Sequence, residues 1–353
     1  MAHKPSICTM SLGRSFAGHS LLHKLDMAAR YGFRGIEVFY EDLVDFAKLL
    51  ARSPAASPQD QLAAAAAIRA HCRSLDLAIV CLQPLMHYEG LVSREAHRER
   101  LRDAELWLEL ARALGTDLIL IPSSFLPERE VAEDGDVAVA DLREVADMAA
   151  RRDPVVKVAY EALCWGTRVN TWEQSWDIVR RVDRDNFGIC LDTFNIAGRV
   201  FADPSSTTGR TPDADAATMH TLQRLVSAVD VSKVFLVQVA DGERLAAPLT
   251  PSHAFYNPEQ PSRMSWSRNA RLFYGEERQG AYLPTRAILE AIVGALGFEG
   301  WLSFEVFNRR LAEADKDVPE EMARRAARAW GRMVGELGLR GERVAEERMQ
   351  AML

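Results

Sequence analysis

Four short apolar runs in the second half of the chain are each interrupted by one polar residue: Glu161 in VKVAYEAL, Asp192 in FGICLDTFN, Gln238 in VFLVQVAD and Glu305 in WLSFEVFN. A strand covered on both faces has little tolerance for an ionised carboxylate, because an unpaired buried charge is costly unless a partner or a metal compensates it. Separately paired polar residues would account for any one of these positions. Four at matching depth on successive strands point to one shared partner. Three carboxylates and an amide oxygen make an all-oxygen donor set, which suits a hard divalent ion such as Mg²⁺ or Mn²⁺ better than Zn²⁺. With the ion in place that shell would keep a net charge of about −1.

Positioning such a shell requires strands whose ends converge. Eight strand-like runs alternate with amphipathic stretches along the chain: Ser6–Leu12, Gly35–Tyr40, Ala78–Pro84, Asp117–Pro122, Val156–Leu163, Phe187–Phe194, Lys233–Ala240 and Gly300–Phe307. The intervening helices carry start and stop signals. Ser20 can cap a helix ending at Gly32, Ser57-Pro58 opens an alanine-rich helix through Arg73, and Ser93 starts one that runs to Gly115. Thr171 and Gln174 form a capping box, and the last long helix runs from near Pro319 to Gly338. Continuous apolar strands separated by helices are parallel strands covered by helices, and eight of them favour a closed (β/α)₈ barrel. The spacing predicts one barrel over residues 1–339, with rim insertions at about 195–215 and 241–284 and a charged C-terminal tail at 340–353. In a barrel those insertions follow strands six and seven and lie on the rim where active sites are built.

Composition narrows the function classes. The 353 residues are 48% hydrophobic and 26% charged, enough for a large core, and the net charge of −7 opposes sequence-independent nucleic-acid binding. Neither a signal-peptide h-region nor an apolar run of membrane-spanning length is found, so the expectation is a cytoplasmic protein without a membrane partner. Five cysteines, an odd number without C-x-x-C spacing, read as reduced and mostly buried thiols. Phosphate-binding glycine loops are missing, which disfavours a nucleotide cofactor. His19 and His23 have i, i+4 spacing but no carboxylate motif between them and read as helix-surface residues; His253 is expected to be exposed.

The chain resembles the fungal-type 3-dehydroshikimate dehydratases of the xylose isomerase-like barrel superfamily. The resemblance is carried by SLGRSFAGHSLLHKLDMAARYGFRGIEVFYEDL (Ser11–Leu43), LMHYEGL (Leu85–Leu91), CLDTFNIAGRVFADP (Cys190–Pro204) and RMSWSRNARLF (Arg263–Phe273). It implies that Glu161, Asp192, Gln238 and Glu305 ligate one divalent ion, Mg²⁺, Mn²⁺ or Co²⁺. It also implies a lyase that converts 3-dehydroshikimate to protocatechuate through a metal-stabilised enolate. Proton transfer then needs an acid/base on the same rim. His87 follows strand three, accompanied by Tyr88 and Glu89. Some relatives have a histidine three residues after the strand-six aspartate; this chain has Asn195 there, which moves the expectation to His87. For the substrate carboxylate, Arg268 and Arg271 are the leading guanidinium candidates, with Ser267 as a neutral donor, Trp266 as a pocket wall and Arg14 as a weaker candidate beside Arg199 and Arg210. A sugar isomerase or epimerase on the same barrel, and a non-catalytic sensor of a shikimate-type ligand, are the alternatives; a multi-zinc hydrolase would need more histidines at strand ends. Self-association into a homo-oligomer stays open.

Overall fold

The computed structural model describes residues 3–339; the expected charged tail, 340–353, lies outside them. Parallel strands close into a barrel: β1 Lys4–Cys8, β2 Gly35–Phe39, β3 Ala78–Gln83, β4 Leu118–Pro122, β5 Lys157–Glu161, β6 Phe187–Asp192, β7 Val234–Val239 and, after a two-residue antiparallel pair (β8 Asp241–Gly242 with β9 Arg271–Leu272), β10 Trp301–Phe304. The order around the barrel is β1-β10-β7-β6-β5-β4-β3-β2. All the expected runs are present. The first is shorter than its sequence suggests, because Thr9–Leu12 turns into a 3₁₀ segment. There Thr9 Oγ1 accepts from Phe39 N (3.0 Å) and Ser11 Oγ accepts from Val306 N (2.8 Å), so hydroxyls replace ladder partners at the ends of both neighbouring strands.

The caps follow the sequence signals with one exception. Ser57 forms a capping box with Asp60, and Thr171 forms one with Gln174. Ser93 accepts from Ala96 N, and the final helix Val318–Leu337 stops at Gly338 in the left-handed region, φ 59°. Ser20 occupies the cap position of Leu21–Arg30, but its side chain makes no capping bond. All five cysteines are free and buried. His19 is buried instead of lying on a helix surface, its Nε2 2.8 Å from Glu313 O; His23 is exposed and His253 half-buried.

Inside the barrel the two halves differ. Cys81, Leu118, Leu120, Ala159, Cys190 and Leu236 form an apolar cluster with Trp301 packed against it. Gly35 makes room for that indole, since a Cβ there would meet Trp301 and Val80 at 2.6 Å. Toward the C-terminal ends the lining turns polar on the β10, β1, β2 and β3 side, with Ser6, Glu37, Gln83 and Ser303 all buried.

Two rim segments deliver the candidate site residues. The stretch expected to leave strand six as an insertion opens as a helix, Thr193–Val200, capped by Asp192 itself, whose Oδ1 accepts from Phe194 N (2.7 Å). The second insertion is closed at its neck by Asp241. Its Oδ1 accepts from the backbone amides of Gly242 (2.7 Å), Tyr282 (3.1 Å) and Leu283 (2.9 Å), and its Oδ2 accepts from Thr285 Oγ1 (2.9 Å). Burial pushes this carboxyl up to about 6, against the pull of the donors. Between the two ends lies the helix Ser262–Ala270, which leads into β9.

Candidate active site

Glu161 ends β5, Asp192 ends β6 and Glu305 follows β10, so the alternation of side chains brings three carboxylates to one end of the barrel. Their oxygens lie within 4.8 Å of one another and all three residues are buried. Gln238 on β7 is fully buried and pairs in register with Asp192. Burial, with Glu305 and Asp192 adding like charge, pushes Glu161 well above the usual carboxylate range. Burial also lifts Glu305 to about 7, although Arg271 pulls in the other direction.

Two side chains organise the cluster from above. Asn195 Nδ2 donates to Glu161 Oε1 (2.7 Å) and Asp192 Oδ2 (2.8 Å), while its Oδ1 accepts from Cys164 N (3.0 Å). Arg271 Nη1 donates to Asp192 Oδ2 (2.8 Å) and Glu305 Oε2 (3.1 Å), and its Nε donates to Ser267 Oγ (3.0 Å). The guanidinium is fully buried between the rings of Phe194 and Phe307, 4.4 and 4.8 Å from their centroids. One arginine against three carboxylates leaves a net charge of −2 when all are ionised, which a divalent cation would neutralise. The donor set and the charge deficit both fit such an ion.

His87 sits in the left-handed region (φ 54°), half-buried, its ring edge-on to Phe125 at 4.3 Å and its Nδ1 3.4 Å from Ser124 Oγ. Burial and the charge on Arg100 push the imidazole down to about 4, so it is neutral at pH 7. Its expected companions face elsewhere. Tyr88 is packed in the core against the His97 ring, because the turn at His87 directs it inward toward the helix Arg94–Leu114. Glu89 is buried, with Oε1 accepting from Ser124 N (2.7 Å) and Tyr160 Oη (3.0 Å), and burial lifts it to about 7. It fastens the loop to β4 and β5 through Oε1, while Oε2 is buried without a hydrogen-bond partner among the described residues.

The remaining candidates divide in the same way. Arg14 is committed to Glu41 through two bonds of 3.0 and 2.9 Å. Trp266 is fully buried and stacked at a tilt on Phe194 at 4.5 Å, with Nε1 donating to Glu243 O (2.8 Å). Arg268 is exposed, and partial burial and the nearby Arg14 hold its guanidinium below its ordinary range. It belongs to the same helix as Trp266 and Ser267. Two residues escaped sequence reasoning: Glu37 on β2 and Gln83 on β3, both buried beside the cluster. Glu37 carries the same signal as the later ligand candidates, a carboxylate inside the apolar run GIEVF.

The closed parallel eight-stranded barrel is a TIM barrel, and the chain belongs to the xylose isomerase-like TIM barrel family: the family's model matches residues 25–332. Within it, the chain is 54% identical over 100% of both chains to the 3-dehydroshikimate dehydratase of Neurospora crassa. It is 35% identical, over 86% of this chain, to the 3-dehydroshikimate dehydratase of Pseudomonas aeruginosa, although the match spans only 38% of that protein's length. Among solved structures, a xylose isomerase-like TIM barrel/4-hydroxyphenylpyruvate dioxygenase fusion protein superposes with a TM-score of 0.71 at 27% identity, covering 96% of this chain and 43% of the other.

Proposed function

We propose that this chain is a 3-dehydroshikimate dehydratase, a hydro-lyase that forms protocatechuate. The observation that carries the reading is the buried Glu161–Asp192–Glu305 cluster under Arg271 and Asn195, in a chain that aligns end to end with a fungal enzyme of that name. The catalytic unit is the barrel of residues 1–339, with the segments 195–215 and 241–284 as its rim. No helix among the described residues is long and apolar enough to cross a membrane, and with five buried free thiols this fits an enzyme working in the cytoplasm on a small molecule.

In 3-dehydroshikimate the C3 ketone lies beside a hydroxylated C4, and the C5 hydroxyl is the leaving group. Glu161, Asp192, Gln238 and Glu305 would hold a divalent cation, which would supply Lewis acidity to the oxygen that gains charge as the C4 proton departs. His87, neutral at pH 7, takes that proton through a ring nitrogen. The C5 hydroxyl, taking up the proton that His87 carries, departs as water and sets the second ring double bond, and transfer of a C6 proton to the C3 oxygen completes the aromatic ring. Asn195 takes no proton; it keeps Glu161 and Asp192 apart and oriented, which supports the histidine as the acid/base. Arg271, positioned by Ser267, does the same for Asp192 and Glu305, and Trp266 supports the Phe194 ring under it. In this proposal substrate anchoring is assigned to Arg268, the exposed guanidinium on the same helix.

The protein mixed with 3-dehydroshikimate is expected to generate the absorbance of an aromatic catechol acid. Ketose interconversion without aromatic product would favour an isomerase or epimerase, and ligand binding without turnover would favour a sensor. The division of labour has its own kinetic signature. His87→Ala should lower kcat by roughly 10²–10⁴-fold with little change in KM. Arg268→Ala should raise KM by about tenfold or more, the cost of one charge-assisted contact. A His87→Ala enzyme that keeps most of its kcat would take the proton transfer away from that residue.

A further inference from the structure

Glu37 is a carboxyl group in the interior of the barrel that the reaction does not use. It is fully buried, and burial together with the neighbouring Glu305 pushes it up to about 8. Burying such a group costs free energy unless hydrogen bonds compensate it. Its Oε2 accepts from Gln238 Nε2 (2.9 Å) and lies 3.4 Å from Gln83 Nε2; Gln83 Nε2 in turn donates to Glu305 Oε1 (2.7 Å). The Ser303 hydroxyl is a further neighbour that favours the charged form of this carboxyl.

This arrangement has a consequence for Gln238. A side-chain amide has a donor end and an acceptor end, and only the oxygen can ligate a cation. Among the described residues the Gln238 NH₂ donates to Glu37 Oε2, while Gln238 Oε1 meets only the weak Cys190 thiol donor at 3.5 Å. We propose that Glu37 is a positioning residue for the cation site: by accepting from Gln238 Nε2, it fixes the amide with Oε1 available as a ligand. An oxygen acceptor remains on Glu37 in either protonation state, so the orientation does not depend on its ionisation. Gln83 extends the effect by linking the same carboxyl to Glu305. The inference rests on the cation-binding reading of the site, and Glu37 itself touches neither substrate nor cation.

The test is a double-mutant cycle on Mn²⁺ affinity, read by the loss of the free-ion electron paramagnetic resonance signal in the absence of substrate. In Glu37→Leu no acceptor remains for Gln238 Nε2, so nothing holds Oε1 toward the cation and the dissociation constant for Mn²⁺ should rise roughly 10–100-fold, the usual size of an outer-shell effect. Gln238→Ala should weaken binding as well. Adding Glu37→Leu to Gln238→Ala should then cost little more, because the residue acts through the amide that is gone. A purely structural role would give losses that add, and additive losses would overturn the proposal, as would wild-type affinity in folded Glu37→Leu. Circular dichroism establishes folding. Should Glu37→Leu fail to fold, Glu37→Asp, which withdraws the acceptor by one methylene, enters the same cycle with the same two outcomes. Wild-type protein that binds no Mn²⁺ would overturn the cation site and this inference together, whereas wild-type binding with an unaffected variant would overturn this inference alone.

Discussion

Protein stripped with EDTA and then freed of chelator should form no measurable protocatechuate, and Mg²⁺, Mn²⁺ or Co²⁺ should restore the rate. The expectation follows from the charge at the barrel mouth. Glu161, Asp192 and Glu305 share a space in which their oxygens approach within 4.8 Å, and Arg271 is the one cation hydrogen-bonded to them among the described residues. Removing a C4 proton leaves charge on the C3 oxygen, and without an electrophile beside it that charge would face the carboxylates' own field. The buried side-chain donors that approach the cluster, Asn195 Nδ2, Arg271 Nη1 and Gln83 Nε2, are all engaged with carboxylate oxygens. Full activity in protein shown by elemental analysis to hold no metal would end this mechanism.

Glu161→Gln, Asp192→Asn and Glu305→Gln should each lower kcat by about 10³-fold or more while the protein stays folded. Each exchange removes one negative charge from the cation's surroundings at nearly constant volume. It also leaves the barrel interior with less charge to bury, so thermal unfolding in EDTA should be no lower than in the unmutated protein. Asp192→Asn carries one added risk to the geometry, because Oδ1 also caps the helix Thr193–Val200; an asparagine side-chain oxygen can keep that bond. Unaltered turnover in any of the three would remove that residue from the site.

Much of this arrangement is legible in the chain because a barrel strand is apolar on both faces, so each inward polar residue stands out as an interruption. Glu161, Asp192, Gln238 and Glu305 are visible in that way, and the strand-to-helix alternation around them gives the barrel. Glu37 has the same signature, yet it lies far from the others in sequence, and only closure of β1 between β2 and β10 brings it beside Gln238 and Glu305. The rim is harder to read. LMHYEGL places three polar side chains in a row, but the left-handed turn at His87 divides them, leaving the imidazole near the surface and sending Tyr88 and Glu89 into the core. Arg268 and Arg271 differ by three positions. Whether each meets solvent or the carboxylates depends on where the helix Ser262–Ala270 passes into β9, a boundary set by pairing with Asp241–Gly242 and therefore by a distant segment.

The carboxylate of Asp241 has a consequence for how this rim could vary. A connection of some forty residues is costly to close by chain entropy alone, though the cost grows only as the logarithm of its length. By gathering amides from both sides of the neck, Asp241 settles that closure locally, next to β7 and independently of what lies further out. The outermost turns, roughly 250–259, beyond the buried Leu249 whose amide bonds Pro204 O, can then be lengthened, shortened or exchanged while Arg271 keeps its place against Asp192 and Glu305. Descendants of this barrel can thus explore new substrate contacts by loop grafting at a fixed catalytic centre.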